Sequence, residues 1–140
     1  MKFTLALAAT ALLSSPVSAD PLDGNYVRTA PWAVAKSPLP TCGELFRKTV
    51  DQAAGSVSTL VVRRESITIT GGEVLKLTSA RPASRLYGVA ANRTMPDGKR
   101  LEVYMGVMIT DSGQTVIASI NSIDGVPVCS DGSIAPFKRK

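Results

Sequence analysis

The chain contains no histidine. That absence excludes His-based nucleophile triads, Cys–His dyads, imidazole acid–base catalysis and His-ligated zinc. Aromatic residues are scarce, one Trp, three Tyr and three Phe. No basic patch is interleaved with them, which argues against a nucleic-acid partner. No glycine-rich loop leads from a strand into a helix, since Gly71-Gly72 falls between two alternating runs; no phosphate-binding loop and no cofactor is expected. Asp97, Asp111, Asp124 and Asp131 each stand at or beside a turn glycine, and none fits the calcium-loop spacing. They read as turn formers, and no metal site is expected. Past the first residues there is no long apolar run, so nothing is read as crossing a membrane. Internal repeats and low-complexity segments are also absent.

What is present begins with an export signal. Met1-Lys2 supplies a positive start, Phe3–Leu13 is apolar, and Val17-Ser18-Ala19 offers small residues before Asp20. This reads as a signal peptide over residues 1–19, too short for the roughly 20 residues of a spanning helix. An exported, periplasmic or secreted protein is expected, from a bacterial source by the shortness of the signal. Removing 19 of 140 residues leaves 121, one domain with a real core. The formal charge of +5 falls to +4 without Lys2, and three of those charges are Lys138, Arg139 and Lys140. Residues 138–140 are read as a solvated basic tail.

Two cysteines, Cys42 and Cys129, allow one intramolecular pairing. In an oxidising compartment a disulfide between them is expected, stabilising by about 4–5 kcal/mol in the chain-entropy picture. Residues 20–40 are read as an irregular, proline-rich lead-in with Pro21, Pro31, Pro38 and Pro40, a short strand candidate at Asn25–Arg28, and the sole tryptophan, Trp32. The body of the domain is read as 41–137. It opens with a helix over 41–54, where Thr41 suits the N-cap, Glu44 completes a capping box, and Gly55 is a stop. Cys42, Phe46, Val50 and Ala53 share a face of that helix, with Leu45 beside them.

From Ser56 the pattern changes to alternation. Strands are expected at 57–62, 66–70, 74–78, 85–91, 101–110, 114–121 and 126–129, the last at an edge because of Pro127. A two-residue loop at Ser112-Gly113 would face Ile109 with Val116, Val107 with Ala118 and Met105 with Ile120, all on the buried side. A three-residue loop Gly71-Gly72-Glu73 would pair Ile69 with Leu75 and Ile67 with Leu77, with a glycine at positive φ. The expected fold is mainly β: an antiparallel meander of about six or seven strands, as a small barrel or curled sheet, with one N-terminal helix packed on it.

Leu22-x-Gly24-x-Tyr26 resembles the opening strand of lipocalin-like barrels, which carries tryptophan where this chain has tyrosine. The resemblance covers five residues, and the proline-rich stretch and helix that follow depart from the lipocalin order.

Candidate ligand-facing residues are Trp32, Tyr87, Glu102, Tyr104 and Met108. Glu102, Tyr104, Gly106 and Met108 share the strand face opposite Leu101 and Val103, and Tyr87 is expected to join them from the neighbouring strand. No catalytic residue is assigned. The functional reading is an exported non-catalytic binding module for a small molecule, a glycan or a protein. Alternatives are an envelope-associated interaction protein held by its tail or strand surface, and a hydrolase built on carboxylate and tyrosine groups such as Glu102 with Tyr104 or Tyr87.

Overall fold

The computed structural model describes residues 21–140, so the segment read as a signal peptide lies outside the described residues. Along the chain run β1 (Gly24–Arg28), β2 (Ala33–Val34), α1 (Glu44–Ser56), β3 (Thr59–Val62), β4 (Ser66–Ile69), β5 (Val74–Arg81), β6 (Ser84–Thr94), β7 (Arg100–Thr110), β8 (Gln114–Ile123) and β9 (Val126–Arg139). From β3 onward each strand pairs antiparallel with the next, and β1 pairs with both β3 and β9. β2 lies beside β9 further along, with Ala33 opposite Ile134. The meander is therefore a closed antiparallel barrel, which leaves few free backbone edges.

Alternating residues fill the interior. Tyr26, Leu60, Val62, Ile67, Tyr87, Val107, Ile109, Ile117, Ala135 and Phe137 form one core cluster, joined by Ala54 and Val57. Each large side chain so buried stabilises by about 1.5–3 kcal/mol.

The helix begins later than its sequence implied. Its N-cap is Gly43 rather than Thr41, no side chain caps it, and it runs through Gly55 to Ser56. The reason lies at Cys42, which is tied to Cys129 by a disulfide with a sequence separation of 87 and whose N–H donates to Asp131 Oδ2 at 3.0 Å. Held at two points by β9, Cys42 is not free to enter the first turn. Val50 and Ala54 are buried against the barrel, while Arg47 donates to Gly132 O at 2.8 Å and to Ser133 Oγ at 2.5 Å.

β9 is long and central rather than a short edge. Asp131-Gly132 looks like a turn and Pro136 like a breaker, yet both fit the ladder. The Gly132 carbonyl accepts from Ala35 N–H at 2.9 Å. Pro136, which has no N–H, offers its carbonyl to Thr29 N–H at 3.0 Å. Pro127 sits near a register shift between Asn121 and Ser122.

The last residues belong to the same strand. Lys138 pairs with Val27 and Arg139 with Tyr26. The Arg139 guanidinium carbon lies 5.4 Å from the Tyr26 ring centroid and its Nη2 donates to Tyr26 Oη at 2.9 Å. Phe137 is core, so residues 137–140 close the barrel instead of trailing from it.

Both tested hairpin registers differ from expectation. Between β7 and β8 the loop is Asp111-Ser112-Gly113: Gly113 has φ 82, its N–H donates to Thr110 O at 2.9 Å, and Ile109 faces Thr115. One extra loop residue turns every β8 side chain to the other face. Between β4 and β5, Ile67 faces Leu75 and Gly71 and Gly72 both have positive φ, 94 and 87. That register is shifted by two, so the isoleucines and leucines still point inward.

Candidate functional site

The register of β8 sets its two faces against the usual order. Thr115, Ile117, Ser119 and Asn121 point inward and are buried, while Val116, Ala118 and Ile120 point outward and are half-buried. Thr115 Oγ1, Ser119 Oγ and Asn121 Oδ1 are buried without a hydrogen-bond partner in the protein. A buried polar group left in that state costs about 1–3 kcal/mol. The more apolar set of β8 side chains is the one left outside.

Outside, those side chains meet apolar neighbours from the adjacent strands. Met108 faces Val116, Gly106 faces Ala118 and Tyr104 faces Ile120. With Leu86 they line a groove of about 380 Å³, whose rim carries Ser79, Ser84 and Arg81. Its floor is shaped by two glycines. Gly88 and Gly106 lie directly opposite each other, and a Cβ at either would fall on the Tyr104 hydroxyl. The Tyr104 ring therefore lies down along the sheet, with its Oη 3.2 Å from Thr78 Oγ1. Any larger residue at those two positions would lift the ring into the groove.

A second concavity opens on the inner side, between α1 and the projecting half of the β6–β7 hairpin. Phe46, Ala91, Arg93, Leu101 and Val103 line one part, about 270 Å³. Ala53, Leu75, Val89 and Met105 line an adjoining part, about 200 Å³. At the opposite end of the barrel Arg64, Arg81, Arg85 and Asp111 border a more polar pocket of about 410 Å³.

Of the five candidate residues, the structure brings Tyr104 and Met108 together in the outer groove. Glu102 is on the same outer face but exposed, opposite Asn92 and Ser122. The groove lining holds no carboxylate. Tyr87 is on the opposite, inner face, fully buried. The β6–β7 register, which places Gly88 rather than Tyr87 across from Gly106, settles that assignment. The Tyr87 hydroxyl donates to Arg63 O at 2.5 Å and accepts from Arg85 Nη1 at 3.4 Å. Burial pushes it above the ordinary 10.0, partly offset by the Arg85 guanidinium. Arg85, itself buried, pairs with Asp23 at 2.8 Å. Trp32 packs over one part of the core, its ring centroid 5.7 Å from that of Phe137.

Among the described residues no group of three or more His, Cys, Asp or Glu is placed to hold a metal ion, and no helix is long and apolar enough to cross a membrane. Comparison with family models, with curated proteins and with solved structures finds no match.

Val116, Ala118, Ile120 and Leu86 were missed as surface-lining residues. The signal that would have found the three β8 residues is glycine as the third residue of Asp111-Ser112-Gly113, the pattern of a three-residue hairpin loop.

Proposed function

We propose that this chain is an exported, non-catalytic binding module that holds its partner in the outer groove of β5–β8. One observation carries the reading. β8 buries Thr115, Ser119 and Asn121 with oxygens left unpartnered and turns Val116, Ala118 and Ile120 outward. Stability alone favours the reverse arrangement, so the outward apolar set is best explained by recognition. The groove suits an apolar group, an aromatic ring or a branched aliphatic chain, from a small molecule or a protein side chain. Arg81 on the rim would favour a neighbouring anionic or carbonyl function. Export is supported by the leading sequence of residues 1–19 and by the disulfide, which persists in oxidising compartments.

The test is native mass spectrometry of the untagged protein from the exported fraction of its own host. Wild type should carry a non-covalent partner mass. Val116→Lys should lose it, whereas Leu45→Lys, a change at a side chain 76% exposed on α1, should keep it. A bare chain, or a partner retained by Val116→Lys, would remove the groove from the account.

A further inference from the structure

β5 and β6 part company halfway along. β5 pairs with β6 from Leu77 to Arg81, opposite Tyr87 to Ser84, and no further. β6 continues to Thr94 and is paired over its whole length with β7. Val89–Thr94 therefore has a strand neighbour on one side only.

Two hydrogen bonds show which backbone groups face the open side. Leu86 O accepts from Thr78 Oγ1 on β5 at 2.9 Å, so Leu86 turns its backbone toward β5. Met95 N–H donates to Lys99 O across the hairpin at 2.7 Å, so odd positions turn toward β7. With the two-residue period of a strand, Ala90, Asn92 and Thr94 present their N–H and C=O groups outward, while Gly88 is buried beside the end of β5. Natural edges are usually blunted by proline, lysine or a covering element. This one carries neither residue, and Ala90 to Thr94 are exposed.

The same stretch borders the inner cleft. Val89, Ala91 and Arg93, the side chains between the outward-facing backbone groups, line it together with Phe46, Leu101, Val103 and Met105. A strand laid on this edge would drop every second side chain into that cleft. We infer that the outward edge of β6 takes an extended segment of a partner polypeptide as an added antiparallel strand. Its alternate side chains are aliphatic beside Ala91 and Val89 and acidic beside Arg93. The main-chain ladder requires a polypeptide, and the cleft with its single guanidinium sets the pattern. This site is separate from the outer groove, and neither proposal depends on the other.

The probe is the acetylated, amidated heptapeptide Thr-Glu-Thr-Val-Thr-Val-Thr, titrated into the isotope-labelled full-length mature chain and followed by backbone amide NMR. Run antiparallel from Thr94 to Gly88, its glutamate meets Arg93 and its valines meet Ala91 and Val89. Saturable shifts are expected at Ala90, Asn92 and Thr94. N-methylation of the threonines at peptide positions 3 and 5, whose N–H groups face β6, should weaken binding at least about tenfold, the loss of one or two main-chain hydrogen bonds. N-methylation of the two valines, whose N–H groups face away, should leave affinity within about twofold. On the protein, Asn92→Pro removes an outward N–H at a position where an edge strand tolerates proline, and should weaken the probe similarly. The inference is overturned if no shift saturates, or if shifts centre on Tyr104 and Val116. Equal weakening by both methylation patterns would also overturn it. So would concentration-dependent broadening of the three amides without peptide, which would assign the edge to a second copy of the chain.

Discussion

Gly106→Ala is the sharpest probe of how the outer groove is shaped. Neither Gly106 nor Gly88 is held at positive φ, so alanine suits the backbone and should gain about 0.5–1 kcal/mol in strand preference. Against that, the three atoms nearest the new methyl at 106 all belong to the Tyr104 ring and hydroxyl. Displacing a packed ring costs about 1–3 kcal/mol, so the net effect should be a loss of up to about 2.5 kcal/mol. In a Tyr104→Ala background the collision is gone and the same substitution should stabilise by about 0.5–1 kcal/mol, a coupling of about 1–3 kcal/mol. Gly88→Ala is the contrast. Its methyl meets the Met105 carbonyl oxygen as well as Tyr104, and backbone does not step aside. Gly88→Ala should therefore destabilise in both backgrounds. Urea unfolding of the six proteins gives the comparison directly, with midpoints read at constant m. Equal Gly106→Ala effects with and without Tyr104, or rescue of Gly88→Ala by Tyr104→Ala, would refute the geometry of the groove floor.

Other outcomes follow from the same structure. Thr115→Val and Ser119→Ala each delete a buried unpartnered hydroxyl and should raise stability by about 0.5–2 kcal/mol, measurable as a higher urea midpoint. Reducing the Cys42–Cys129 bridge, which closes 87 residues, should cost up to about 4–5 kcal/mol on the chain-entropy scale and free the start of α1, seen as faster amide exchange at Cys42 and Arg47. The raised Tyr87 hydroxyl means that the unfolded chain loses this proton first as pH rises. Its contribution is whole below pH 10 and declines as pH climbs through the raised folded value. Tyr87→Phe should cost about 0.5–1.5 kcal/mol at neutral pH and flatten the alkaline fall in stability.

The alternation of Ile67 with Ile69, Leu75 with Leu77 and Val107 with Ile109 made the antiparallel meander and its inward face readable from the sequence. The disulfide was readable too, because two cysteines allow one pairing. β8 was not, since both of its faces contain apolar residues and the choice between them rested on a single loop residue. β9 was hidden because Gly132 and Pro136 look like interruptions, yet they pair with Ala118 and Gln114 on β8 and their carbonyls accept from Ala35 and Thr29, about a hundred residues earlier. The N-cap at Thr41 was overruled by a tertiary tether at Cys42, which no local pattern encodes. Tyr104 and Met108 were legible as one face, but the wall opposite them depended on the β8 register.

The central claim is that the outward face of β7 and β8 is where this protein meets its partner. Methyl NMR tests it most directly, using the isotope-labelled chain mixed with the unlabelled exported fraction of the host. The account predicts selective shifts at Met108, Val116 and Ile120, with Leu101, Val103 and Met105 on the other face unmoved by any ligand of that groove. Shifts confined to the inner set, or a spectrum that does not change, would contradict it.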